Sequence, residues 1–329
     1  MKVSFLTSNP NLNTGSYRIW VNDLSRTIKE LGHESKIHVG KIDDANPGTI
    51  ILCKSAYSQV DKIKNNFSNS LVGAINIPSD YHNKNIDFVI AGSYEEKCSL
   101  SFYNSVFVYP LIERKFEDVE RKVHAEKDTL RICFHGHFPH LAKFEPFLKN
   151  AIEVLSSKIR SLELVIITGD PSFNWKLGKP NNVKIESHQY DQSTVSDIIK
   201  SCDIGVVPNV TDMRLYDRNL QNQTSVEYGL YDTDYFLRFK NKTNAGRAFV
   251  FYQHGIPVVH DLSPSSFEFM GKCERKVVAH DSASWYRELA SLSNYSLRNE
   301  IAEENFKVFS EHYNPHNHAK KLLEFIRSI

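Results

Sequence analysis

Residues 129–138 read TLRICFHGHF, and residues 162–172 read LELVIITGDPS. Each stretch places a largely apolar run directly before a turn that contains glycine, which is the pattern of a strand followed by a loop. Runs that are apolar on both faces are typical of a parallel sheet covered by helices on both sides. These stretches therefore predict an α/β protein with a parallel sheet.

The same rhythm of apolar runs and helical stretches extends through the chain. The predicted strands of the first half are residues 3–6, 50–53, 71–77, 88–91 and 106–108, with a helix over 19–31. Those of the second half are residues 130–134, 162–168, 183–185, 203–207 and 257–260, with helices over 144–155, 194–201 and 244–253. The sequence therefore predicts two Rossmann-like, doubly wound parallel-sheet domains in succession.

A highly charged stretch over residues 111–129 separates the two series and predicts a linker. We therefore expect one domain over residues 1–128 and another over residues 129–313. The pair Asn314–Pro315 predicts a break before a last helix. We expect this final segment, residues 314–329, to join the first domain.

Charge and cysteine content exclude several classes of function. The 329 residues include 40 Lys and Arg against 39 Asp and Glu, and this balance argues against nucleic acid as a partner. The five cysteines lie far apart without metal-ligand spacing, so we expect them to be reduced in a cytoplasmic protein. No stretch supplies about 20 consecutive apolar residues, and the N-terminal apolar run is too brief for a signal peptide, so we expect a soluble protein.

Polar or glycine-containing loops follow the predicted strands of the second half. In open parallel sheets, ligands bind beyond the carboxyl ends of the strands, so ligand contacts are expected in these loops. Gly136 would let backbone N–H groups approach an anion closely. The candidate contacts are Gly136, His137, Gly169, Asp170, His188 and Tyr190. The alternative is that these residues form ordinary polar turns.

A basic, amide-containing segment, residues 242–247, leads into the helix predicted to end at residue 253. The start of a helix offers unpaired N–H groups and the positive end of the helix dipole. Lys242, Asn244 and Arg247 would add donors suited to a diphosphate. The alternative is a helix cap followed by a surface arginine.

Five stretches of the second half resemble, in their usual order, the donor-binding half of glycosyltransferases of the GT-B fold. They are TLRICFHGHF (129–138), LELVIITGDPS (162–172), VKIESHQY (183–190), TVSDIIKSCDIGVVPN (194–209) and KTNAGRAFVFYQHGIPVV (242–259). The opening, MKVSFLTSNPNLNTGSYRIW (1–20) followed by LSRTIKELGHESKIH (24–38), resembles the N-terminal strand, loop and helix of the same fold. The resemblance covers nearly the whole chain and implies two domains that face each other across a cleft.

The resemblance also implies a function. The second domain would hold a nucleotide-sugar donor, and the first would hold a glycan, polysaccharide or glycolipid acceptor. The protein would then be a cytoplasmic glycosyltransferase of polysaccharide biosynthesis that contacts the inner face of the membrane peripherally. Gly15 and Arg18, in the first loop and helix, are candidate contacts to donor phosphate or acceptor, although a surface arginine at a helix start is an equal alternative.

Retaining members of this superfamily commonly carry two glutamates eight residues apart before the last strand of the donor half. This chain has Lys242 and Val250 at the corresponding positions, which favours an inverting enzyme or a member without activity. An inverting transfer needs a general base near the acceptor hydroxyl, and we expect it at Asp80 or His82, after a strand of the first domain; the alternative is a polar turn. Residues between 209 and 241 form an insertion that we interpret as a lid or an acceptor-binding element.

Two sequence patterns resemble metal-binding motifs. Histidines 135, 137 and 140 have HxHxxH spacing, and residues 232–234 read DTD. No carboxylate or cysteine accompanies the histidines, and a loop alone does not fix three imidazoles. The DTD stretch does not follow a clear strand. We therefore expect a metal-independent enzyme with no cofactor besides its donor substrate. The alternatives are a nucleotide-sugar epimerase or hydrolase on the same fold, or a catalytically silent GT-B-like partner of an active transferase.

Overall fold

The computed structural model describes residues 1–78, 81–137, 141, 147–172, 175, 178–209 and 246–329. These residues form two compact units. The first contains residues 1–115 and the C-terminal residues 313–329, and the second contains the described residues from 116 to 312. Each unit is built on its own sheet.

The strands of the first unit are β1 (Lys2–Thr7), β2 (Glu34–Val39), β3 (Thr49–Cys53), β4 (Val72–Ile75), β5 (Phe88–Ala91) and β6 (Val106–Val108). All pair in parallel, in the order β2-β1-β3-β4-β5-β6. Every residue of β3, β4 and β5 is buried, as expected for inner strands of a covered parallel sheet. The sequence misses β2, because this edge strand mixes exposed and buried residues and has no continuous apolar run.

The strands of the second unit are β7 (Thr129–His135), β8 (Ser161–Thr168), β9 (Lys184–Gln189), β10 (Ile204–Val207), β11 (Val258–Asp261) and β12 (Val278–Ala279). They also pair in parallel, in the order β12-β11-β10-β7-β8-β9. The predicted α/β class with two doubly wound parallel sheets is therefore confirmed. The two-residue strand β12 is too short to be recognised in the sequence.

The helices are α1 (Gly15–Tyr17), α2 (Leu24–Glu30), α3 (Val60–Asn66), α4 (Tyr94–Ser99), α5 (Phe147–Ser156), α6 (Val195–Ser201), α7 (Gly246–Gln253), α8 (Pro264–Met270), α9 (Ser282–Ser291), α10 (Tyr295–His312) and α11 (Pro315–Arg327). A π-helical turn, Arg18–Asp23, joins α1 to α2. Asn314 caps α11 by accepting hydrogen bonds from the backbone N–H groups of His316 and Asn317. None of the helices in the described ranges has the length and apolar character that crossing a membrane requires.

Each sheet is covered by helices that bury its apolar side chains. In the first unit, alternate residues of β1 enter different cores: Phe5 packs with residues of α2 and α11, and Leu6 packs with residues of α3. In the second unit, residues of α5 and α9, including Trp285, pack against β7 and β8. The C-terminal helix α11 is therefore part of the first unit's core.

The charged stretch that enters the second unit is fixed by a buried carboxylate. Asp203, which precedes β10, is 1% exposed. Its Oδ1 accepts a hydrogen bond from Lys122 Nζ at 2.9 Å, and its Oδ2 accepts one from the backbone N–H of Arg131 at 3.0 Å. The neighbouring His124 bonds through Nε2 to the backbone oxygen of Gly255 at 2.9 Å. This segment is therefore held against the sheet by defined polar contacts.

Burial alone would raise the pKa of Asp203, but hydrogen bonds from His124 and Lys122 and the positive charge of Lys122 hold the pKa well below its ordinary value. A carboxylate with a lowered pKa in the folded state stabilises the fold when it is ionised. This stabilisation is present above the pKa of the unfolded chain and is lost as the pH falls towards the folded pKa.

We expect Asp203→Asn to lower the free energy of unfolding by about 3 kcal/mol at neutral pH, because it leaves the largely buried ammonium of Lys122 without its counter-charge. The difference between the wild type and the variant should shrink as the pH falls below about 4, where the unfolded carboxylate takes up a proton. Urea denaturation across this pH range checks the prediction. A difference that stays constant with pH would contradict it.

Candidate functional site

The second sheet changes its winding direction between β7 and β10. From β7 the chain continues outward through β8 and β9, and it then returns to place β10 on the other side of β7. In open parallel sheets, this reversal leaves a crevice at the carboxyl ends of the two strands, where ligands bind. The residues that follow β7 and β10 are therefore the first candidates for a site.

Helix α7 lies close to this crevice because β10 carries a glycine beneath it. A Cβ atom on Gly205 would lie 2.6 Å from Cδ2 of Phe251 in α7, so only glycine permits this packing. The close approach places the first turn of α7, with Arg247, at the strand ends. The backbone oxygen of Arg247 accepts a hydrogen bond from His135 Nε2, at the end of β7, at 2.9 Å.

Gly136 makes room for the side chain of Arg247. Its φ of +135° is a conformation that favours glycine, and a Cβ atom there would lie 3.0 Å from Cδ of Arg247. The N–H of Gly136 donates to the backbone oxygen of Ile167 at 2.9 Å. The structure thus supports a spatial role for this glycine, and not the donation of its own N–H to an anion.

Arg247 is held at the crevice and is 4% exposed. One of its terminal nitrogens donates to Oδ1 of Asn209 at 3.0 Å, and its guanidinium carbon lies 5.9 Å from the ring centroid of Phe134. A guanidinium fixed in this way presents a planar set of donors that suits phosphate oxygens. Arg247 is therefore buried, whereas the alternative interpretation of the sequence expects an exposed surface arginine.

The sequence does not single out Asn209, although it lies two residues beyond the end of β10. It is 3% exposed and forms a direct side-chain contact with Arg247. Its position beside β7 depends on the strand order, which is not visible in the pattern of apolar runs. Only the rule that sites lie beyond strand ends could have indicated it.

The other predicted contacts of this unit lie along the same sheet edge or beside it. Gly169 and Asp170 follow β8; Asp170 is exposed, and hydrogen bonds from Ser172 lower the pKa of its carboxyl group. Tyr190 follows β9, and its N–H donates to the oxygen of Thr168 at 2.7 Å. The structure therefore places these three residues at successive strand ends.

Two predicted histidines have different surroundings. His137 is exposed and lies one residue beyond Gly136. His188 lies within β9, where its Nε2 is 2.5 Å from Oε1 of Glu186. Burial would raise the pKa of Glu186, but the bonds from His188 and Arg131 lower it. His188 is therefore engaged in a charged cluster on the edge strand of the sheet.

Several predicted residues lie outside the described ranges. Among the predicted donor contacts these are Lys242 and Asn244, and among the candidate metal ligands they are His140, Asp232 and Asp234. Within the described ranges, no group of three or more His, Cys, Asp or Glu side chains is arranged to hold a metal ion.

In the first unit, the side chain of Arg18 is bonded to two other residues of that unit. It is 7% exposed, with Nε donating to Oε1 of Glu113 at 2.5 Å and a terminal nitrogen donating to the oxygen of Leu12 at 2.6 Å. Gly15 begins α1, and the nearest described atom to a Cβ on it, outside its chain neighbours, is a terminal nitrogen of Arg18 at 3.9 Å. Arg18 thus connects the loop before α1 to the segment after β6.

Of the two candidate bases, Asp80 lies outside the described ranges. His82 is exposed, and its ring packs against those of Phe102 and Tyr103, with centroids 5.2 and 5.6 Å apart. The structure therefore places His82 in an aromatic cluster on the surface of the first unit. Its role as a base stays a prediction.

No known protein-family model matches the sequence, and no curated protein matches it significantly. Solved structures do match over the full length. Sucrose-phosphate synthase from Thermosynechococcus elongatus aligns with a TM-score of 0.62 at 11% identity over 99% of this chain and 98% of the other. A DNA-modifying β-glucosyltransferase aligns with a TM-score of 0.59 at 11% identity over 99% of both chains. HepE from Anabaena aligns with a TM-score of 0.55 at 11% identity over 100% of both.

The chain has the GT-B fold. At these identities the similarity establishes the architecture, including the two parallel sheets. The site residues described above come from this chain's own geometry.

Replacing Gly136 tests whether the candidate site depends on the close contact between the end of β7 and the side chain of Arg247. We expect Gly136→Ala to lower the free energy of unfolding by about 1 to 3 kcal/mol, because alanine is strained at positive φ and its methyl group would press on Arg247. Urea denaturation measures the change.

The matched control is Gly169→Ala, at the end of the neighbouring strand. Among the described residues, and apart from its chain neighbours, no atom lies within 4 Å of a Cβ at Gly169, and its φ lies outside the left-handed range. This variant should change stability by less than about 0.5 kcal/mol. Equal losses in the two variants would show that the arginine contact is unimportant.

Proposed function

We propose that this protein transfers a sugar from a nucleoside diphosphate sugar to a glycan, polysaccharide or glycolipid acceptor. The observation that carries the proposal is the buried guanidinium of Arg247, fixed beside Gly136 at the point where the sheet of the second unit reverses its winding. A diphosphate bound there would meet charge-assisted donors at the start of α7. The fold supports this interpretation.

The ligands of similarly folded proteins support the same donor class. The matching β-glucosyltransferase uses uridine diphosphoglucose as its substrate, and HepE has been solved in complex with UDP. Both ligands contain a nucleoside diphosphate. We therefore propose that the donor of this protein is a sugar activated by a nucleoside diphosphate.

We further propose that the reaction inverts the configuration of the sugar. The sequence of α7, GRAFVFYQ, contains no acidic residue, and Val250 within it is buried. This is the helix where the retaining pattern would place a glutamate. The first unit would then supply the base that accepts the proton of the acceptor hydroxyl, at Asp80 or His82. The exposed ring of His82 is consistent with access to a ligand.

In this scheme Arg247 stabilises the negative charge that develops on the leaving diphosphate. Donors that are already fixed before the reaction need little rearrangement as that charge grows, so they lower the barrier more than mobile donors do. Burial strengthens the effect, because the interaction is less screened by water. The rest of the catalytic advantage would come from holding donor and acceptor in the correct orientation.

A thermal-shift panel of UDP, GDP, ADP and dTDP identifies the preferred nucleotide, and calorimetry then measures its affinity. We expect Arg247→Ala to weaken nucleoside diphosphate binding by about 10- to 100-fold, because a charge-assisted hydrogen bond is lost. The corresponding nucleoside, which lacks phosphate, should bind as it does to the wild type. Arg247→Lys should restore only part of the affinity, since an ammonium cannot reproduce the planar fork of donors.

The matched control for this experiment is Arg287→Ala, which removes an arginine whose side chain is 67% exposed on α9. It should leave nucleotide affinity unchanged. If a folded Arg247→Ala protein binds the nucleotide as tightly as the wild type, the proposed donor site is wrong. If the wild type binds no member of the panel, the proposed donor class is wrong.

We also propose that donor binding does not require a divalent metal ion, because the diphosphate charge can be met by arginine, backbone N–H groups and the helix dipole. Nucleotide affinity should therefore change by less than about twofold after treatment with EDTA. Titration calorimetry before and after chelation measures this. Loss of binding that added Mg²⁺ or Mn²⁺ restores would instead indicate a metal site at Asp232 and Asp234 or at the histidines after β7.

A further inference from the structure

A buried carboxylate, that of Asp261, contacts Asn209, the residue that binds Arg247 in the site. Asp261 ends β11 and is 1% exposed. Its Oδ1 accepts a hydrogen bond from Nε1 of Trp285 at 3.2 Å, and its Oδ2 accepts one from the backbone N–H of Asn209. Burying a carboxylate without hydrogen-bond donors costs free energy. The two hydrogen bonds offset this cost and hold the carboxylate of Asp261 in one orientation.

The tryptophan whose indole N–H donates to Asp261 is itself buried. Trp285, in α9, is 0% exposed and belongs to the core beneath the second sheet. The backbone of Asp261 is fixed as well, since its oxygen accepts a hydrogen bond from Oγ of Ser266 at 2.6 Å. The carboxylate is thus held from both its side chain and its main chain.

Asn209 links Asp261 to Arg247 through two hydrogen bonds. Its backbone N–H is bonded to Asp261, and its side-chain oxygen accepts from the Arg247 guanidinium at 3.0 Å. Hydrogen bonds therefore run without interruption from Trp285 through Asp261 and Asn209 to Arg247. They cross the carboxyl ends of β11 and β10 and reach the crevice beside β7.

We infer that Trp285 and Asp261 are positioning residues, which set the orientation of the Arg247 guanidinium for a diphosphate. This inference rests on the proposed function, in which Arg247 binds the donor. A planar fork of donors pairs well with phosphate oxygens only within a narrow range of angles, so an arginine that can swing binds more weakly. The hydrogen-bonded chain restricts that motion from the protein core.

The competing explanation is that Asp261 only ties the ends of β10 and β11 together. In that case its loss would lower stability but would not act on nucleotide binding through Arg247. The two explanations differ in whether the effects of Trp285 and Arg247 on affinity are coupled. A double-mutant cycle measures this coupling directly.

The first variant is Trp285→Phe, which removes the indole N–H and keeps an aromatic ring in the core. We expect it to weaken binding of the nucleoside diphosphate selected by the panel by about three- to tenfold. Binding of the corresponding nucleoside should be unchanged. The matched control is Trp20→Phe in the first unit, because Trp20 is buried but its Nε1 has no hydrogen-bond partner in the described part of the chain; this variant should leave both affinities unchanged.

The same substitution is then made in the Arg247→Ala background, where we expect it to change diphosphate affinity by less than about 1.5-fold. Asp261→Asn, which keeps the shape of the side chain, is carried through the same cycle and should give the same coupling even if Trp285→Phe folds poorly.

An equal loss of affinity in both backgrounds, or no loss in either, overturns the positioning role. If Arg247→Ala weakens binding but the cycle shows no coupling, this inference fails while the proposed function stands; if the wild type binds no nucleotide, the proposed function itself fails.

Discussion

The structure depends on one topological constraint: a parallel sheet whose strands are buried on both faces must be wound in both directions to receive helices on each side. In the second unit the winding reverses between β7 and β10. The connections leave the two strand ends in opposite directions, which opens a crevice there. Glycine at positions 205 and 136 then lets α7 and the side chain of Arg247 approach that crevice more closely than any larger residue would allow.

Two buried arginines, Arg18 and Arg247, lie in different surroundings. Arg18 is paired with the carboxylate of Glu113, and both side chains are less than one tenth exposed, so this charge is neutralised within the first unit. Arg247 donates to the amide oxygen of Asn209, which orients its guanidinium at the ends of β7 and β10. The first arrangement ties a loop to the fold. The second orients donors that, under the proposed function, would meet the donor diphosphate.

The sequence predicts most inner strands because burial on both faces produces continuous apolar runs, as in β3 and β8. It misses β2, whose polar positions face solvent at the sheet edge. The place of Arg247 in the first turn of α7 could be predicted, because a helix start is visible locally in the sequence. The contacts of Asn209 and Asp261 could not be predicted, because they arise from the order of strands in space. The burial of Arg18 could not be predicted either, because it depends on the contact with Glu113, which is 95 residues away along the chain.

The central claim is that a donor diphosphate lies at the carboxyl ends of β7 and β10. A crystal structure of the intact protein with its preferred nucleoside diphosphate tests this most directly. We expect phosphate oxygens within hydrogen-bond distance of the Arg247 guanidinium, beside Gly136. A diphosphate bound elsewhere in the molecule, with the crevice between these strand ends left unused, would contradict it.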